Sequence, residues 1–125
     1  MPGIEECLLD VMALPGARGA AVLDWVSGLA LGTAGEAPED DRETAAAETA
    51  ELARLAAEHQ AFGARGEFPV EDVIVTTGSD FHVLRFVETG FDSSVLIHLW
   101  LDRSHANLAL ARLRLRHLAT ELVLG

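Results

Sequence analysis

The chain of 125 residues has no lysine and a single cysteine, Cys7. One cysteine can form no internal disulfide and no thiolate cluster for zinc, so a reducing compartment is the simple expectation. The nine basic residues are all arginine and stand against 20 Asp and Glu, a net charge of -11. Absent lysine beside abundant Ala, Gly and Leu points to GC-rich coding rather than to a functional choice. So acidic a chain repels phosphate backbones, and nucleic acid is not expected as a partner. No apolar run approaches the ~20 residues that span a bilayer. The start "MPGIEEC" is acidic, where a secretory signal would be basic and then apolar. A cytoplasmic protein without membrane insertion is therefore expected.

Half of the residues are apolar, which is enough to bury a core. At this length the chain is expected to form one domain, 1–125. Residues 4 to 14, "IEECLLDVMAL", put Ile4, Leu8, Val11 and Met12 at helical spacing, and "PG" at 15 and 16 ends that helix. "RGAAVLDW" and "LALGT" read as two strands of a hairpin over 18–33. "AGEAPED" reads as a loop. Asp40 with Glu43 three positions later resembles a capping box, which opens an Ala-rich helix running to about Phe62. "GARGEFP" breaks it. Three strands follow: "DVIVTT" (72–77), "FHVLRFVE" (81–88) and "SVLIHLWLD" (94–102), joined by the turn-like "TGSD" and "TGFD".

The stretch "ALARLRLRHL" (109–118) alternates leucine with arginine for a few residues, as a strand would. The helical template accounts for more of it. Leu108, Ala111, Leu115, Leu118, Ala119 and Leu122 form one stripe, so a helix is predicted from about 105 to 123, capped by Ser104. Arg112 and Arg116 then fall on one flank with His105, and Arg114 falls on the other near Glu121, where long stems cover apolar surface and heads stay wet. Leu110 and Leu113, with Ala106, face away from the stripe. Either a second layer covers them or they mark a contact surface.

The resulting string, α-ββ-α-βββ-α, is an α/β (α+β) pattern. Placing the last strand beside the first gives a five-stranded antiparallel sheet of order 2-1-5-4-3. The last strand is apolar on both faces, which puts it centrally with helices on both faces of the sheet. The first and third helices are expected on one face and the Ala-rich helix on the other. One sheet edge, "VIVTT", is β-branched and carries no charge, Pro or Gly, so it invites pairing. Val73, Ile74, Val75, Thr76 and Thr77 are accordingly the candidate interface with a second copy of the chain.

In "LPGARGAAVLDWVSGLAL", "EDDRETAAAETAELARL" and "ANLALARLRLRHLATEL", taken in that order, the chain resembles the roadblock/LC7 (dynein light chain type) family. Asp24 and Gly28 match the family's short turn with an acid before Gly, while Trp25 and Val26 make this turn more apolar. The resemblance implies a homodimer with a ten-stranded sheet across both chains and no chemistry of its own. It further implies a regulator, scaffold or activator of a small Ras-like GTPase; bacterial members often work beside such a partner. In some complexes the central helices, here residues 41 to 62, face the partner. On that basis Glu48, Glu51, Leu52 and Leu55, together with the outward-facing Leu110 and Leu113 of the last helix, are the candidate partner surface.

Catalytic constellations are weak. The five histidines form no HxH, HxxxH or HExxH pattern, although His82 and His98 lie on neighbouring strands and can approach each other. Asp102, Ser104 and His105 have the residue types of a triad, but capping explains the Ser and the Asp. "PGARG" and "FGARGEFP" match neither a P-loop nor a dinucleotide fingerprint, so GTP binding by this chain itself is not expected. No cofactor and no enzymatic activity are expected. Glu43, Glu48, Glu51 and Glu58 around Arg42 and Arg54 make the central helix acidic, either as a solvated face or as a surface for a basic partner. Ala46, Ala50, Ala53 and Ala57 form a small-residue row for close packing on the sheet or on a twin helix. The alternative function is a small-molecule sensor of PAS or GAF type, with His82, Arg85, His98 and Trp100 lining an internal cavity.

Overall fold

A computed structural model describes residues 3–63, 69–87 and 94–122. Its elements are α1 (Ile4–Met12), β1 (Ala17–Asp24), β2 (Ala30–Gly35), α2 (Arg42–Glu58), β3 (Asp72–Thr76), β4 (Asp80–Phe86), β5 (Val95–Asp102) and α3 (Leu108–Glu121), with one 3-10 turn at Gln60–Phe62. The sheet is antiparallel with order β2-β1-β5-β4-β3, as the hydrophobic pattern of the last strand predicts.

β5 is central because both its faces are apolar, and each face meets a different layer. Val95, Ile97, Leu99 and Leu101 pack with Val22, Val83 and the buried sides of α1 (Cys7, Leu8, Val11) and α3 (Ala111, Leu115, Leu118, Ala119). Leu96 packs on the other face with Leu23, Leu84, Phe86 and the alanines of α2. The predicted stripe of the last helix is thus core. The alanine row serves this chain's own sheet: Ala46, Ala50 and Ala53 are buried, and Ala57 is partly buried beside them.

Several boundaries differ from those the sequence suggests. The N-cap of α2 is Asp41, not Asp40; its carboxylate accepts from the Glu43 N–H at 3.0 Å and from the Thr44 hydroxyl at 2.9 Å. Adjacent acids offer two caps, and the one a residue closer forms the bonds. α2 ends at Glu58 rather than near Phe62, because His59 turns extended (φ -82, ψ 135). α3 is capped by Asn107, whose side chain accepts from the Leu110 N–H, and not by Ser104. Ser104 belongs to the preceding turn, where its N–H donates to Asp102. β3 stops at Thr76, so Thr77 lies in the turn before β4. Most of "GARGEFP", all of "TGFD" and the end of "FHVLRFVE" lie outside the described residues.

Candidate dimer interface and partner surface

β3 has β4 on one side and, among the described residues, no strand on the other. The direction of its main-chain groups follows from two bonds at the ends of the ladder. The Phe86 N–H donates to the Glu71 carbonyl at 3.0 Å, and the Thr77 N–H donates to the Asp80 carbonyl at 2.9 Å. In an antiparallel ladder alternate pairs exchange hydrogen bonds. With the register Val73↔Leu84 and Val75↔His82, Val73 and Val75 bond inward, while Asp72, Ile74 and Thr76 direct N–H and C=O from the free margin. Thr77 is committed to its turn, where its hydroxyl also accepts from the Asp80 N–H at 3.0 Å. Of the five candidate interface residues, Val73, Ile74 and Val75 are half-buried and Thr76 and Thr77 are exposed.

The opposite margin is defended. Arg42, in the first turn of α2, donates to the Gly35 carbonyl at 2.8 Å and to the Thr33 hydroxyl of β2. A guanidinium laid along an edge strand blocks further pairing there. Arg54, the other arginine of α2, donates to the Trp25 carbonyl at 2.8 Å and so pins the tip of the β1–β2 hairpin. In that tip the Asp24 carboxylate accepts from the Val26 and Ser27 N–H groups, and Gly28, at φ +82, donates to the Asp24 carbonyl. The apolar Trp25 and Val26 therefore sit in a turn with its acid and glycine in place. Because both arginines turn toward the hairpin, Glu43, Glu48, Glu51 and Glu58 dominate the exposed side of the helix.

α2 leaves a trough between itself and β3. Leu52, Leu55, Ala56, His59, Phe62, Val70 and Val73 line one part of about 530 Å³. Glu48, Thr49, Leu52, Val75, His82 and His98 line an adjoining part of about 280 Å³. Leu52 borders both. Leu55 and Phe62 are 51% and 62% exposed, so large apolar side chains face water beside an unpaired strand. The structure thus gathers Glu48, Leu52 and Leu55 at the trough, and Glu51 is exposed on the same helix. Phe62, which helical spacing groups with Leu52 and Leu55 although α2 ends at Glu58, and Val70, just before β3, also line it.

Leu110 and Leu113 lie elsewhere. They are exposed on α3, across the sheet from α2, so the predicted partner surface is two surfaces. Among the described residues no second layer covers them. Ala106, expected beside them, is partly buried against the core instead. The α3 arginines separate as their flanks require: Arg112 Nε donates to Asp72 of β3 at 3.0 Å, and Arg114 grips Asp10 of α1 through two nitrogens. These contacts hold Arg114 above the usual guanidinium range, chiefly through the Asp10 hydrogen bond.

The four residues of the sensor alternative do not converge. His82, His98 and Trp100 share the α2 face. Arg85 pairs with Ile97 on the α1/α3 face, is buried, and reaches Glu71 at 3.7 Å. His82 Nδ1 and His98 Nε2 do approach, to 3.0 Å. His105 Nδ1 lies 2.7 Å from Asp102, which lowers the carboxyl's pKa, and the same Asp accepts from Ser104 N–H. That arrangement closes the β5–α3 turn. Cys7 is fully buried, and burial, assisted by Asp10, pushes its thiol up to about 11. Among the described residues no helix is long and apolar enough to cross a membrane.

No family model matches the chain, and no curated protein matches it significantly. Solved structures do. MglB from Myxococcus xanthus is 20% identical over 92% of this chain and 84% of that chain, with a TM-score of 0.70. An MglB with a tetrameric arrangement is 22% identical over 94% and 83%, at 0.74. MglC from Myxococcus xanthus is 24% identical over 94% of each chain, at 0.62. This shared architecture, with the α-ββ-α-βββ-α order and the 2-1-5-4-3 sheet, gives the chain the roadblock/LC7 fold.

Proposed function

We propose that the chain is a single roadblock/LC7-like domain that works as a homodimeric, non-enzymatic platform. It modulates a small Ras-like GTPase or assembles a signalling complex around one. The observation that carries this reading is the unpaired β3 margin running beside the apolar trough of Leu52, Leu55, Phe62 and Val73. Pairing β3 with its own copy satisfies the outward groups of Asp72, Ile74 and Thr76 and brings a second α2 to the trough. In a two-fold antiparallel pair, all three outward residues are used together when Ile74 faces Ile74 and Asp72 faces Thr76. The two acidic α2 helices then lie side by side as one surface. The fold shared with MglB and MglC supports the GTPase as partner class.

Sedimentation equilibrium and a pull-down with a small Ras-like GTPase from the same cell test the reading. A dimer that retains the GTPase is the expected result. A monomer at tens of micromolar, or a dimer indifferent to the GTPase in both nucleotide states, would overturn the corresponding half.

A further inference from the structure

Beneath α2, two imidazoles form a polar thread through an otherwise apolar layer. His82 of β4 and His98 of β5 are diagonal neighbours on the α2 face, with Nδ1 and Nε2 3.0 Å apart. On the far side of the His98 ring, Nδ1 lies 3.5 Å from the Thr49 hydroxyl oxygen of α2, the longest link in the thread. Thr49 in turn donates to the Ala45 carbonyl at 2.7 Å. These partners assign the tautomers. The single Thr49 hydroxyl hydrogen is spent on Ala45, so its oxygen accepts from His98 Nδ1–H. His98 Nε2 is then a lone pair, and it accepts from His82 Nδ1–H. Donors run one way, from β4 through β5 to the backbone of α2.

An added proton has no good place on His98, the ring at the centre of the thread. On His98 Nε2 it would face the His82 N–H, two donors at 3.0 Å, on a ring only 7% exposed. The charged groups around the pair do not compensate. Glu39 and Glu48 line the neighbouring cavity, and Glu36 and Arg42 line the pocket on the other side of His98. Asp80 acts on His82 only through space, and Arg18 lies over Trp100, which stacks on His82. Among the described residues, the histidines that meet carboxylates are His105 and His117, not these two. Burial, reinforced by His82, takes His98 from 6.5 down to about 4, and burial lowers His82 as well. Folding therefore favours the neutral rings. The contribution of His98 is whole above pH 6.5 and is lost as pH falls toward about 4.

We propose that His82, His98 and Thr49 form a proton-sensitive latch: with His98 neutral, it fastens α2 to the sheet; with His98 protonated, it releases the helix. α2 has only alanine methyls fully buried against the sheet, so this thread is its polar attachment at the middle of the helix. The latch works within one chain and does not depend on dimer formation.

Hydrogen exchange of the full chain at pH 7.5 and pH 5.0, corrected for intrinsic chemistry, reads it directly. In the wild type the α2 amides should lose about tenfold protection at the lower pH, a tenfold change being what one unit of proton affinity supplies, while β5 changes less. His98→Gln keeps one donor and one acceptor without a titrating ring, and should abolish the difference. If that variant does not fold, Thr49→Val, which detaches α2 from the thread, should do the same. Nitrogen chemical shifts should show His98 protonated at Nδ1 and bare at Nε2 at pH 7.5. Equal α2 protection at both pH values in the wild type, the opposite tautomer, or an undiminished pH effect in His98→Gln or Thr49→Val would overturn the latch.

Discussion

The Arg42 guanidinium donates to the Gly35 main-chain oxygen at 2.8 Å, across the outer side of β2. β3, at the other end of the sheet, has no such cover among the described residues. The two margins of one sheet are therefore chemically unlike.

Arg42→Ala lays bare Gly35 and Thr33. The expected outcome is concentration-dependent species larger than the dimer in sedimentation velocity, with little change in thermal midpoint because the side chain is exposed. An unaltered distribution would show that the guanidinium does not protect this margin.

Thr76→Pro and Val75→Pro separate the two sides of β3. At Thr76 the lost N–H points outward and proline is tolerated on an open edge, so the variant should fold and stay monomeric. At Val75 the lost N–H bonds to β4, and about 1–3 kcal/mol of stability should go with it. Urea melts and light scattering on both proteins check the contrast; a dimeric Thr76→Pro would contradict the pairing.

Leu55→Asp puts a charge in the trough where the leucine is half exposed. Its effect on monomer stability should be within about 0.5 kcal/mol. Its effect on dimerisation should be at least tenfold in Kd, since a carboxylate would be carried into an apolar contact. A Kd equal to that of the wild type would place the second α2 elsewhere.

Cys7 is buried with a thiol pushed up to about 11, so hardly any thiolate exists near neutrality. The native protein should resist a thiol-titrating disulfide reagent at pH 7.5 and react stoichiometrically once unfolded in guanidinium. Fast labelling of the native protein would mean that α1 opens readily.

Element order and sheet topology are legible in the sequence because the core residues repeat at helical and strand periods. The two-faced apolarity of Val95 to Leu101 alone places β5 in the middle. What the periods cannot show is which of two adjacent candidates makes a bond. Asp40 and Asp41 differ by one position, Ser104 and Asn107 by three, and each pair has the right chemistry to cap. The end of α2 is hidden for a similar reason, since no Pro or Gly stands between Glu58 and Phe62. The roles of Arg42 and Arg54 depend on the hairpin lying under α2, a long-range fact that local composition does not contain. Arg85 alternates correctly onto the α1/α3 face, away from the other three residues of the sensor alternative, and strand parity alone could have excluded that grouping.

The seat of α2 is paved with the methyls of Ala46, Ala50 and Ala53. Helices usually lock by dropping bulky ridges into grooves, and such ridges fix where along the axis a helix rests. Methyls provide almost no ridge. With no ridge to index it, α2 owes its place along its own axis to three polar moorings, Arg42 to Gly35, Arg54 to Trp25 and Thr49 to His98.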